Sequence, residues 1–260
     1  MVVFAGQGDP RRSLALLWRA ATPEGPRPGP RPALTVDEIV DTAIAVADEA
    51  GMAALSMRAV GQRLGRTGMA LYTYVPSKSE LVDLMHDRAH AGMRDTYAPE
   101  AGWRAAAQAW AGDLWELYQR HPWLLQVSQV RPVLGPHEYA VVEAITRILF
   151  TTGLPARLLT RVVGTLSHFV RGAASTVAES RLATTDTGVS DEDWWAARSA
   201  ALPEVVPDFA DRYPMITRLG AEDTFGYDPD RSYLEQQAQE TFRVGLAVIL
   251  DGVETAIGRT

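Results

Sequence analysis

Residues 35–83 read TVDEIVDTAIAVADEAGMAALSMRAVGQRLGRTGMALYTYVPSKSELVD, and four helix starts and one tight turn are legible in them. Thr35-Val36-Asp37-Glu38 is a capping box, with a hydroxyl at the N-cap, a carboxylate three residues on, and Leu34 and Ile39 placed as a hydrophobic staple. The stripe Val36, Val40, Ala43, Ala47 and Ala50, with Ile39 and Ile44 beside it, has helical spacing, and Gly51 stands where a left-handed residue would end the helix. Ser56 can cap a second helix carrying Val60 and Leu64; Gly65-Arg66 interrupts it, and Thr67 offers the next N-cap hydroxyl. The third helix is short, from 68 to about 74, because Pro76 cannot continue it and a second capping box, Ser77-Lys78-Ser79-Glu80, opens a fourth.

A helix, a short helix, a turn containing Gly and another short helix is the helix-turn-helix plan, whose last element lies in the DNA major groove. Charge agrees with this: Arg58, Arg63, Arg66 and Lys78 stand against Glu80 alone between 52 and 80, in a chain of formal net charge −7. In the third helix Leu71 and Val75 are four apart and face the core, which turns Met69 and Thr73 outward with Ala70 and Tyr72 flanking them. With Thr67, Gly68 and Tyr74 at the ends of this helix, these are the expected base and sugar contacts. Arg58 and Lys78 are the expected phosphate contacts. Lys78, the only lysine in the chain, sits at a helix N-terminus suited to holding phosphate; a solvent-facing lysine is the alternative.

Leu55-Ser56-Met57-Arg58, Leu64-Gly65 and Ala70-Leu71-Tyr72-Thr73-Tyr74-Val75-Pro76-Ser77-Lys78-Ser79-Glu80-Leu81 resemble the DNA-binding domain of the TetR family of transcriptional regulators over about fifty residues. An ordinary three-helix packing unit, with Tyr and Leu simply as core, is the competing reading. Agreement among turn, caps, charge and signature weighs against it.

The 260 residues are 47% apolar and 22% charged and contain no cysteine, which excludes disulfides, thiolate nucleophiles and Cys-ligated zinc. No membrane segment and no signal-peptide pattern is legible, so a cytoplasmic protein is expected. Residues 1–34 read as a flexible, basic, Pro-rich arm, with a short apolar piece, Leu14-Ala15-Leu16-Leu17-Trp18, ahead of the Pro-rich tract from 23 to 32. Arg27 and Arg31 on that arm can reach the minor groove, as homeodomain arms do; a plain linker fits equally well.

Beyond Glu80 every pattern is helical and no period-two strand is visible. The organisation expected is all-α: an N-terminal three-helix helix-turn-helix DNA-binding domain over 35–82, and a C-terminal helical ligand-binding and dimerisation domain over 83–260. The fourth helix runs to Tyr97 by its pattern and links the two. Trp103, Ala107, Trp110, Leu114, Leu117 and His121 form one face of a fifth, and long apolar helices follow over 156 to about 181 and 232 to about 259. Between those two, 183–230 is rich in Asp, Pro and Gly and is expected to hold only short helical pieces. Leu166 and Val170 on one long helix, and Phe242, Leu246, Ile249 and Val253 on the other, suit an interface between chains as well as an internal core.

The C-terminal half is similar, more sparsely, to the regulatory domain of the tetracycline-repressor branch, through Arg131-Pro132 and Ser167-His168-Phe169-Val170-Arg171-Gly172. That resemblance implies a homodimer built on a four-helix bundle, a palindromic double-stranded operator, and a pocket for a small-molecule effector, here of unknown identity. The tetracycline repressors' magnesium-ligating histidine would fall near Val127, but 122–136 contain no His, so no metal and no cofactor is carried over. Trp110, Leu114, Tyr118, Val127, Arg131, His168 and Phe169 are the candidate effector contacts. An aromatic stripe is also what an ordinary core provides, and His168 equally suits a satisfied core histidine. One enzyme-like pattern exists, His86-Asp87-Arg88-Ala89-His90, reminiscent of the HExxH zinc-protease helix; it lacks the glutamate and a third ligand, and reads rather as polar residues on a linker helix. The resulting expectation is a ligand-released repressor, not an enzyme, with an activator, a ligand-independent repressor or a hydrolase using His86 and His90 as alternatives.

Overall fold

The computed structural model describes residues 3–19, 34–221 and 232–259. These form two compact units, one of Met1–His168 with Gly252–Thr260 and one of Phe169–Asp251. The first unit opens with a two-residue strand, β1 (Val3–Phe4), and a short helix, α1 (Pro10–Leu17). Next come α2 (Val36–Ala54), α3 (Met57–Arg63), α4 (Gly68–Leu71), α5 (Lys78–His90) and α6 (Gly102–Arg120). A 3-10 turn (Pro122–Gln126), β2 (Val127–Ser128), α7 (Pro136–Phe150) and the long helix α8 (Ala156–Thr187) follow. The remaining helices are α9 (Asp191–Val205), α10 (Phe209–Arg212), α11 (Pro214–Ala221) and α12 (Tyr233–Ile257). No helix among the described residues is long and apolar enough to cross a membrane.

Local chemistry explains the first elements. Thr35 accepts from the Glu38 amide at 3.2 Å, and Glu38 accepts from the Thr35 amide at 2.7 Å, so the capping box closes in both directions. Helical geometry breaks at Gly51, with φ +74°, and a further turn runs to Ala54. The buried stripe is Ile39, Val40, Ala43, Val46 and Ala47.

α5 differs from the linker helix expected. It ends at His90 rather than running to Tyr97, because Arg94 and Tyr97 are drawn onto α6: Arg94 donates twice to Asp113, at 2.7 and 2.8 Å, and the Tyr97 hydroxyl donates to the same carboxylate at 2.7 Å. Every residue from 80 to 90 except Arg88 is buried, so the polar residues of this helix, His86 and His90 included, face the interior. The buried carboxylates have partners. Asp83 accepts from the Gly6 amide, and Asp87 accepts from the amides of His137 and Glu138 at 2.9 and 3.0 Å. Asp87 thereby caps α7 from another helix, at a start where Gly135 has no side chain to do so and where a Cβ would lie 2.1 Å from its carboxylate.

A second difference is the parallel pair Val3↔Val127 and Phe4↔Ser128. Two residues are too few to show a period of two. In the second unit Phe169 stacks on Phe242, with centroids 6.1 Å apart, and Gly245 makes room for the ring: a Cβ there would lie 2.6 Å from Phe169 Cζ. Helices α9 and α10 bury no residue.

Candidate DNA interface and its link to the body

The helix-turn-helix is assembled by close backbone approach. A Cβ on Gly61 would lie 2.9 Å from the Gly68 amide nitrogen, and one on Gly68 would lie 3.1 Å from the Arg58 backbone. Only glycine at both positions lets α3 and α4 touch this closely. Gly65, at φ +65°, turns the chain between them, and the Arg66 amide donates to the Gly61 carbonyl at 2.8 Å. Ser56 and Thr67 cap the two helices by accepting from Ala59 and Ala70.

α4 is a single turn, and its hydrogen bonding continues through Val75, whose amide donates to the Leu71 carbonyl at 2.9 Å. Leu71 and Val75 are fully buried. Met69 is 75% exposed and Tyr72 41%, and Thr67 and Thr73 are exposed beside them; Gly68, Ala70 and Tyr74 are half-buried. Around this face Arg58, Arg66 and Lys78 are exposed and form no ion pair among the described residues. Arg63 is engaged: it grips Glu49 with two bonds of 2.6 and 2.5 Å, which hold the Glu49 carboxyl below its ordinary range. Lys78 is the first residue of α5. Arg27 and Arg31 lie outside the described residues.

The candidate effector contacts differ in their surroundings. Trp110, Leu114, Tyr118 and Val127 are buried, and the Trp110 indole N–H donates to the Val141 carbonyl at 3.0 Å. Arg131 and His168 are exposed, so His168 is not a core histidine, and Phe169 belongs to the stack on Phe242. A cavity of about 330 Å³ lies instead beside Tyr97, Trp103, Ala106, Arg147 and Ile148, between α6 and α7. Helical spacing brought out Trp103 but gave no sign of Arg147 or Ile148, which sit a helix away.

Of the two roles expected for the apolar residues of α8 and α12, an interface between chains or an internal core, burial favours the core for four of them. Leu166 and Val170 are fully buried and Leu246 and Val253 nearly so within a single chain, as core residues are. Phe242 and Ile249 are half-buried. The outward residues are His168 and Gly172 on α8, and Val244 and the 64% exposed Val248 on α12.

His86 and His90 lie with ring centroids 4.7 Å apart, and His90 Nδ1 sits 2.7 Å from the His86 carbonyl oxygen. Burial pushes the proton affinity of His90 down, against the carbonyl contact and the charge of Asp87. No third His, Asp or Glu joins them in a metal-holding group among the described residues.

Residues 39–85 match the family model described as bacterial regulatory proteins, tetR family, and residues 97–257 match the tetracyclin repressor-like C-terminal domain. The chain is 39% identical over 259 residues to the HTH-type transcriptional repressor DrrR1 of Streptomyces coeruleorubidus, covering 98% of this chain and 89% of that one. It is 29% identical over 145 residues, 56% of this chain and 61% of the other, to an HTH-type transcriptional regulator of Saccharopolyspora erythraea. Among solved structures, Streptomyces coelicolor ActR in complex with (S)-DNPA superposes with a TM-score of 0.65 at 25% identity, over 84% of this chain and 96% of that one. Extended over both parts of the chain, these matches mean that it belongs to the TetR family of helix-turn-helix transcriptional regulators.

Proposed function

We propose that this regulator is a homodimeric repressor that grips a palindromic operator with α4 of each copy and lets go when a small molecule occupies its C-terminal part. The observation that carries the reading is the face of α4: Met69, Tyr72 and Thr73 turned outward, between Arg58, Arg66 and Lys78, whose charges are not met by carboxylates among the described residues. Side chains of that kind on a single exposed turn suit base edges, and the flanking cations suit phosphates. A relative described as a repressor supports the sign of regulation, and a neighbour solved with a small molecule supports an effector.

The cavity beside Trp103 and Arg147 suits a modest effector by size and by its mainly apolar wall. It also touches Tyr97, in the segment that leaves α5 and is bonded to Asp113. An effector there would act on the helix that begins at the DNA-binding head. The exposed residues of α8 and α12 are the surface for a second copy, and the cytoplasm is where a DNA target would be met.

Selection of duplexes from a random pool by the wild-type chain tests this reading. Enrichment of an inverted repeat bound by two chains is expected, and Thr73→Ala should alter which bases are preferred, by about 1–3 kcal/mol at an affected base pair. Enrichment of no sequence at all would contradict it.

A further inference from the structure

Residues 3–19 stand outside the helix-turn-helix, yet they touch each part that has to move with it. β1 pairs with β2 of the body. The Gly6 amide donates at 2.9 Å to Asp83, in the middle of α5, and Gly8 lies so close to α5 that a Cβ would come 2.2 Å from Glu80 Oε1. α1 lies along α5 with Ser13 and Leu17 buried. The Trp18 indole N–H donates to the Leu134 carbonyl at 2.9 Å, with its ring 6.2 Å from that of Tyr139 on α7. Arg19 pairs with Asp37 on α2. Around one cavity of about 260 Å³, Trp18 and Arg19 meet Asp37 of the head, Asp87 and Arg88 of α5, and His137 of the body.

We propose that residues 3–19 are a strap that positions the DNA-binding head, narrowing the range of half-site spacings that the dimer accepts. The proposal rests on the dimeric operator-binding function inferred above. Two heads on a palindrome must be presented at one separation, and any rocking of α2 and α5 against β2 and α7 changes it. Such rocking strains the Gly6–Asp83 or the Trp18–Leu134 hydrogen bond, because the one ties the strap to α5 and the other ties it to the segment before α7, while β1 holds its start on β2. Observed affinity scales with the fraction of molecules in the competent geometry, so a looser joint weakens the correctly spaced site and forgives an incorrectly spaced one. The effect differs from ordinary destabilisation, which weakens all duplexes alike.

The test uses the full-length chain and its Trp18→Ala and Trp18→Phe variants. Each is titrated against the duplex selected by the wild type, a version with one base pair inserted between the half-sites, and a single half-site. Trp18→Ala should bind the native spacing about 3- to 10-fold less tightly and the lengthened duplex with a smaller change. Trp18→Phe, which keeps a ring but loses the N–H donor, should fall between. Single half-site binding should be unchanged. Hydrogen exchange should rise along residues 84–90 and stay constant in α3. An unaltered ratio between the two spacings, whether affinities hold or fall together, overturns the proposal and leaves residues 3–19 as covering for α5. If the wild type selects no inverted repeat, the dimeric operator reading fails instead, and unchanged exchange at 84–90 then overturns the strap on its own.

Discussion

α6 and α9 are both tryptophan-bearing helices, and they use that residue in opposite ways. On α6, Trp110 lies on a face with Ala107, Leu114 and Leu117, all of them buried, and its N–H has a carbonyl partner. On α9, Trp194 and Trp195 are adjacent in sequence, are 47% and 45% exposed, and point about 100° apart around the helix; none of the apolar side chains of α9 is buried. A helix whose apolar residues keep to one stripe completes its packing inside its own unit, whereas one whose apolar residues encircle it presents surface for another body. α6 is thus a core helix, and α9 leaves its tryptophans at the surface.

The widest separation between them is expected in stability. Trp110→Ala should cost about 3–5 kcal/mol in chemical denaturation, since it empties a packed site and removes the indole donor to the Val141 carbonyl. Trp195→Ala should stay within about 0.5 kcal/mol for an isolated chain. Similar losses at both positions would end the distinction between a core helix and a contact helix.

Packing limits of another kind operate in the head. Gly61→Ala pushes a methyl group against the backbone at Gly68 and should cost about 1–3 kcal/mol while abolishing operator binding, read by denaturation and by anisotropy. Val248→Arg places a charge on the exposed face of α12; light scattering should show dissociation to monomers with the helical circular dichroism intact. A dimer that persists would move the interface elsewhere, with α9 the next place to look.

Legibility in the sequence followed the range of each signal. Caps, the Gly65 turn and the Pro76 stop act over three or four residues, and the helix-turn-helix was readable from them. The end of α5 depends on Asp113 taking hold of Arg94 nineteen positions earlier, which no local pattern announces. Asp83, His86, Asp87 and His90 look like a solvated face until their partners arrive from the N-terminal segment and from α7. Leu166, Val170 and Leu246 suit an interface and a core alike in the sequence, because apolar helical spacing does not say which chain will fill it.

The buried charge of α5 leads to the smallest effect expected. Burial lowers the pKa of His90, with His86, Asp87, His121 and His137 as its other influences. The folded state thus resists protonation: its contribution is complete above the ordinary histidine value of about 6.5 and is lost as pH falls through that value toward the lowered folded one. Asp83 and Glu138, raised chiefly by burial, act in the opposite sense: their ionisation costs stability as pH rises above the ordinary carboxylate range. Melting followed between about pH 7.5 and 5.5 should show a decline on acidification that is shallower in His90→Gln. An identical slope in the variant would remove His90 as the cause.

Two heads, each setting a cationic turn on DNA, are what the proposed function requires above all. Fluorescence anisotropy of the selected palindromic duplex, titrated with the wild-type chain and with Lys78→Ala over a series of salt concentrations, tests that most directly. Two chains per duplex are predicted, with a log–log salt slope that flattens in Lys78→Ala by about one unit for each phosphate that the lysine neutralises in the wild type. One chain per duplex, or the same slope in both proteins, would contradict it.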